Sequence, residues 1–138
     1  MDPPVTNCAG FIVFNENKKV ILVKTAANHY GFPKGKREKG ESSLETALRE
    51  LHEETGLIEK QIEIIPNFWV DELSNKGHKN IRYFVAKIKT EAINHQFKFD
   101  PTELVEVDWY DSSLILNLEG FKIERKEVFS KVLHLITY

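Results

Sequence analysis

Glu50, Glu53 and Glu54 stand close together in a stretch whose apolar residues recur at helical spacing. Leu44, Ala47, Leu48 and Leu51 fall at i, i+3, i+4 and i+7, which makes one core-facing stripe on a helix over residues 42–55. At about 100° per residue the three acids share roughly 100° of arc away from that stripe. Arg49 and Glu53 make an i, i+4 pair of opposite sign, as a solvated face would. Glu50/Glu53 and Glu50/Glu54 are like-charge pairs, each costing roughly 0.2 to 0.5 kcal/mol. A hard divalent cation such as Mg²⁺ would offset that repulsion, because it takes carboxylate oxygens, keeps several waters and is commonly shared with substrate phosphates. Taken alone, the helix reads either as a metal site or as a charged surface face.

The flanks decide between the two. Gly35-Lys36-Arg37-Glu38-Lys39-Gly40-Glu41, then residues 42–48, then Arg49-Glu50-Leu51-His52-Glu53-Glu54-Thr55-Gly56-Leu57 resemble a complete Nudix box, G-x5-E-x7-R-E-U-x-E-E-x-G-U with U bulky and aliphatic. Every specified position is met across residues 35–57, a chance match on the order of 10⁻⁷. The resemblance to the Nudix hydrolase superfamily implies an α/β/α sandwich with a mixed β-sheet between helices. It also implies hydrolysis of a pyrophosphate bond in a nucleoside diphosphate-linked substrate, with Mg²⁺ or Mn²⁺. Carried over by position, Glu50, Glu53 and Glu54 are the metal-binding acids and the Gly35 carbonyl is an additional ligand. Such a metal neutralises phosphate oxygens and acidifies a bound water. Glu53 or Glu54 is then the candidate general base, with Glu103 a third, since the base need only reach the attacking water. Arg49 would orient Glu53, and Glu41 would support the loop before the helix.

Outside the box, Asn28-His29-Tyr30-Gly31-Phe32-Pro33-Lys34-Gly35 is similar to the preceding segment of dinucleoside tetraphosphate hydrolases, with Tyr30 where those commonly have Trp. Lys76-Gly77-His78-Lys79-Asn80-Ile81-Arg82-Tyr83 resembles their lysine-rich loop and the strand after it. Lys79 and Tyr83, four apart on a strand, share a face, so one would meet phosphate while the other stacks on a base. The resemblance therefore implies substrate contacts from His29, Tyr30, Lys34, Lys36, Lys79, Arg82 and Tyr83, and cleavage of diadenosine tetraphosphate to ATP and AMP. Glu103 stands six residues before Trp109, as in that group, without its Ser-His-Glu-His context. The residues themselves leave other roles open: a solvated basic loop at Lys34, Lys36, Arg37 and Lys39, a core position for Tyr83, a loop-filling His29, and sheet packing for Phe68-Trp69. Residues 31–36 are also similar to messenger RNA decapping enzymes of the same superfamily, the one reading in which long RNA is a partner. Diphosphoinositol polyphosphate hydrolysis and cleansing of damaged nucleoside triphosphates would use the same acidic helix. A non-catalytic nucleotide-binding scaffold is the reading from another class.

These residues need a frame. The chain has 138 residues, 41% hydrophobic and 29% charged, which suits one compact domain over residues 1–138. β-Branched runs at 9–14 and 20–24, separated by Asn15-Glu16-Asn17-Lys18-Lys19, predict a hairpin. Further strands are expected at 62–71, 81–89 and 105–110, with a loop over 75–80. Both faces of 81–89 are apolar, as in a strand covered on both sides. Ser42 with Glu45 forms a capping box, and Gly56 suits the left-handed position that ends a helix. A second helix over 121–136 carries Val128, Phe129, Val132, Leu133 and Ile136 on one face. The fold class is thus α/β, a mixed sheet with helices on both faces. A net charge of −2 argues against holding nucleic acid by bulk positive charge, so a small nucleotide held locally is the expected partner. No apolar run approaches the roughly 18 to 20 residues of a membrane span. The start, Met1-Asp2-Pro3-Pro4, lacks the pattern of a secretory leader. The single cysteine, Cys8, cannot close an intramolecular disulfide and is expected as a small buried hydrophobe. A cytosolic or nuclear setting follows, and the oligomeric state stays open.

Overall fold

The computed structural model describes residues 4–73 and 80–136. The expected hairpin forms from β1 (Cys8–Phe14) and β2 (Lys19–Lys24). Its turn is held by Asn15, whose Oδ1 accepts the N–H of Asn17 at 2.9 Å and of Lys19 at 3.0 Å, while Lys18 takes a left-handed φ of 61°. Phe14 pairs with Val20 at the tip. Beyond it the strands part. The start of β1 pairs instead with β4 (Lys34–Lys36), and the far end of β2 pairs with β3 (Tyr30–Gly31). The segment leading to the acidic helix is thereby wedged between two strands. Gly10 makes the wedge fit, since a Cβ there would lie 2.2 Å from the Pro33 carbonyl oxygen, the atom that accepts the Phe11 N–H at 3.0 Å.

The remaining strands are β5 (Ile62–Leu73), β6 (Asn80–Ile88) and β7 (Glu106–Asp111). The sheet runs β3-β2-β1-β6-β5, with β7 on β2, and β1 and β6 are parallel whereas the other pairs are antiparallel, so the sheet is mixed. β5 ends the sheet and bulges between Ile64 and Trp69, where Asn67 has a φ of 55°. Of the loop expected at 75–80, Asn80 opens β6 and the rest lies outside the described residues.

Helix α1 (Ser43–Thr55) covers one face and α3 (Ile123–Ile136) the other, with the single turn α2 (Ser112–Ile115) after β7. Under α1 lie Phe11, Val13, Ile21, Phe84 and Ala86 with Ala47 and Leu51; under α3 lie Ile12, Leu22, Phe32, Tyr83 and Val85 with Phe129 and Val132. The alternation along β6 sends successive residues into the two clusters, which is why both faces of that strand are apolar. The architecture is the expected α/β/α sandwich. Cys8 sits half-buried at the start of β1. No described helix is long and apolar enough to cross a membrane. Because β4 can dock only on a side-chain-free position, Gly10→Val should destabilise the domain by at least about 1 to 3 kcal/mol through overpacking. A thermal midpoint equal to the parent's would show that β4 does not depend on this contact.

Candidate active site

The loop before α1 is tied down by charge. Ser42 accepts the Glu45 N–H at 3.1 Å and Glu45 returns a bond to the Ser42 N–H at 2.9 Å, the reciprocal cap expected from the sequence. At the other end Gly56 takes a left-handed φ of 82°. Glu41 receives Arg49 through two bonds, Nε at 2.7 Å and Nη2 at 3.0 Å, and also accepts the Thr46 hydroxyl and the Glu38 N–H, both at 2.9 Å. These bonds, Arg49 first, hold the Glu41 carboxyl at about 2. Arg49 also reaches the Lys36 carbonyl at 2.9 Å, Glu50 at 2.9 Å and Glu53 at 3.3 Å. Arg49 does touch Glu53, as expected, yet its shortest bond is to Glu41, and that bond leads the interactions raising its own pKa.

Glu50 packs against the backbone of Gly35 so tightly that a Cβ there would fall 2.1 to 2.3 Å from its carboxyl atoms. Glu54, one turn on, is pushed up to about 9, chiefly by burial and then by the charge of Glu50 and a hydrogen bond with it. Glu53 is on the outer side, its side chain 53% exposed. Among the described residues no three acids, histidines or cysteines already converge as a metal group. The donor set still fits a hard divalent cation: oxygen ligands, two carboxylates crowded enough to retain a proton between them, and a glycine cradle that a side chain would fill.

Glu54 also forms part of the wall of a cavity of about 190 Å³, together with His29, Tyr30, Phe32, Lys34, Leu104 and Arg125. Burial lowers the pKa of Lys34, and the charge of Arg125 lowers it further. Tyr30 stands edge-on to Tyr110 with ring centroids 5.5 Å apart, and Lys24 Nζ lies 5.3 Å from its centroid. Tyr110 is fixed in turn by its hydroxyl, which donates to Glu106. His29 is exposed at the rim, where it also borders a shallower hollow with Gly120, Phe121 and Lys122. Glu103 is exposed one residue before Leu104. Lys36 is exposed, and its carbonyl is held by Arg49. The structure therefore gathers Lys34, Tyr30 and His29 beside the acidic helix.

Two expected substrate contacts are elsewhere. Tyr83 is fully buried, edge-on to Phe32, with its hydroxyl 3.4 Å from Glu72; it is a core residue, and no base can stack on it in this arrangement. Arg82 points to the opposite face of β6, where Asp71 binds it through two bonds at 2.9 and 3.0 Å and the Pro4 carbonyl accepts a third at 3.0 Å. It lies over Trp69, which is 38% exposed with its ring edge-on to Phe84 while Phe68 packs against the cluster under α3, and Arg82 and Trp69 both line a separate cavity of about 610 Å³ between the start of α1 and the β5 bulge. Lys79 lies outside the described residues. Sequence reasoning missed Arg125 and Glu72. Their signal was available: Arg125 precedes Val128, Phe129 and Val132 by three, four and seven, and so interrupts the apolar stripe of α3.

A family model described as NUDIX domain matches residues 5–132. The Mus musculus bis(5'-nucleosyl)-tetraphosphatase (asymmetrical) is 39% identical over 72 residues, 51% of this chain and 49% of that protein. The Schizosaccharomyces pombe mRNA decapping complex subunit 2 is 28% identical over 124 residues, 86% of this chain and 15% of that protein, so the chain spans half or less of both relatives. A C. elegans Ap4A hydrolase structure superposes with a TM-score of 0.81 at 19% identity, covering 93% of this chain and 96% of the other, a likeness of fold.

Glu54 keeps its proton in the folded state up to about 9 but has an ordinary value of 4.5 when unfolded. The fold therefore gains most from this group below the unfolded value and loses that gain as pH rises toward the folded one. In EDTA the thermal midpoint should fall from about pH 5 to 9, and Glu54→Gln should flatten the fall. An unchanged slope would assign it to other groups. Gly35→Ala, whose methyl would displace the Glu50 carboxyl, should shrink the rise in midpoint produced by millimolar Mg²⁺ or Mn²⁺. A full rise in that variant would separate Gly35 from the metal site.

Proposed function

The chain belongs to the Nudix family, and on that premise we propose that it is a divalent-metal-dependent pyrophosphohydrolase that cuts diadenosine tetraphosphate asymmetrically into ATP and AMP. The observation carrying this reading is the cavity walled by Glu54, in which a cation, Lys34, and an aromatic ring, Tyr30, stand beside the acidic helix. Four phosphates give the substrate enough charge to engage both the helix and a lysine outside it. An adenine stacked on an aromatic face gains roughly 1 to 3 kcal/mol, and with Tyr83 in the core that face belongs to Tyr30. The 39% identity to the mouse tetraphosphatase over half of this chain supports the same substrate. The partner is a small nucleotide in a cytosolic or nuclear setting.

Glu50, Glu53 and Glu54, with the Gly35 carbonyl, would hold the Mg²⁺ or Mn²⁺. When bound, the cation supplies charge neutralisation at the phosphates and acidification of water. Arg49 fixes Glu50 against Gly35 and leaves Glu53 exposed, so Glu53 is the carboxylate best placed to accept a proton from the attacking water. Glu54, half-buried beside Glu50, is placed to ligate, and a cation there would displace the proton that burial and Glu50 otherwise favour. Glu103, exposed one residue before the cavity-lining Leu104, is the remaining candidate base. Capped RNA is the second reading, supported by an alignment with the decapping subunit that runs over 86% of this chain.

A hydrolysis panel of diadenosine tetraphosphate, capped RNA, diphosphoinositol phosphates, ADP-ribose and oxidised nucleotides, run in heavy-oxygen water, tests this. ATP and AMP should form fastest, with the label in one product only. Preferential release of methylated guanosine diphosphate would replace the tetraphosphate by capped RNA. Glu53→Gln should lower kcat by about 10² to 10⁴. Near-parental turnover would move the base to Glu54 or Glu103.

A further inference from the structure

Arg125 is only 7% exposed and projects from α3 toward the sheet. Its Nε donates to Glu72 Oε1 at 3.1 Å and its Nη2 to Glu72 Oε2 at 3.4 Å, and the Tyr83 hydroxyl donates to the same carboxylate at 3.4 Å. A guanidinium has five N–H donors in one plane, and Glu72 engages only the edge turned toward β5. Nη1, on the other edge, lies on the side of Gly31, where a Cβ would come within 2.9 Å of it. That is the side of the cavity that Arg125 lines with Lys34 and Glu54. A buried ion pair does little for stability that an apolar pair of similar size would not do. Here it interrupts an apolar stripe, and the neighbouring strand carries a glycine where a side chain would block it.

We propose that Arg125 is a substrate-phosphate contact: Glu72 and Tyr83 hold one edge of its guanidinium so that Nη1 meets a phosphate oxygen in the cavity, beside the Lys34 ammonium. The proposal rests on the pyrophosphohydrolase reading and adds to it a specificity residue from the helix layer opposite the acidic helix. A guanidinium suits this place better than an ammonium, because its flat fork can bind one carboxylate and one phosphate oxygen from opposite edges. It also sets the ligand class, since a neutral nucleoside offers this edge no anionic oxygen.

The probes are ATP, inorganic pyrophosphate and adenosine, with affinities measured by calorimetry in EDTA and again with Ca²⁺ in place of Mg²⁺. The first variant, Arg125→Met/Glu72→Leu, removes the buried pair together so that no charge is orphaned. It should keep the parent's affinity for adenosine while losing about tenfold or more for ATP and pyrophosphate. KM for a hydrolysed substrate should rise by a similar factor with kcat largely kept. A folded double variant that binds ATP and pyrophosphate as the parent does would overturn the proposal and leave the pair as a strut. Should the double variant not fold, Arg125→Lys decides: an ammonium cannot serve both edges, so weaker phosphate binding supports the proposal and parental binding overturns it. Failure of the parent itself to bind either phosphate probe overturns it as well. These affinities do not depend on which dinucleotide is cut, so a chain that binds ATP through Arg125 but leaves diadenosine tetraphosphate intact fails only the earlier reading.

Discussion

The guanidinium of Arg49 bonds to Glu41, Glu50 and Glu53 and to the Lys36 carbonyl, drawing three negative charges and a strand end onto one plane of donors. Without it, Glu41 and the acidic side chains of α1 would repel one another, and Glu50 would lose the cation that holds it against Gly35. A lysine could neutralise one of these carboxylates but could not bond two of them and a carbonyl in fixed directions. The loop, the first turn of α1 and the acidic face are therefore one electrostatic unit. The two ends of that unit differ: the bonds to Glu41 favour its ionised form, whereas Glu54, at the far end of α1, is pushed toward its neutral form. An acidic face graded in this way can wait for a cation without flying apart.

That unit is placed by the parting of β1 and β2 beyond their shared tip. Hydrogen bonds from β1 to β4 and from β2 to β3 hold the connecting segment open like a lip, and Phe32 anchors it in the cluster under α3. The cavity is consequently bounded by three layers: Glu54 from the α1 side, Lys34 and Tyr30 from the sheet, and Arg125 from the α3 side. The cavity lies at a seam in the sandwich, between its layers.

Much of this was legible in the residue order because its causes are local. The stripe of α1, its reciprocal cap and Gly56 depend on neighbours within a turn or two, and all of them lie inside the box at 35–57. β3 and β4 could not be read. They are two and three residues long with Pro33 between them, and they exist only because distant strands offer them edges. Tyr83 shows a different failure. The apolar pattern of β6 on both faces already implied burial, while likeness to other proteins suggested an exposed ring; in the fold, the cluster under α3 prevails. Arg125 could have been noticed as a charge on an apolar face, but its partner Glu72 is 53 residues away in the chain, and only the fold joins them.

The bulge in β5 has a consequence for how copies of this protein meet. An outermost strand of twelve residues exposes a ladder on which another chain could add itself, the first step toward ordered aggregates. Here Pro66 has no N–H to offer, left-handed Asn67 breaks the pleat, and the two divide the free edge into pieces too short and too twisted to template a long pairing. The irregularity that opens the cavity beside Trp69 thereby also shortens the run of edge that a second copy could pair with.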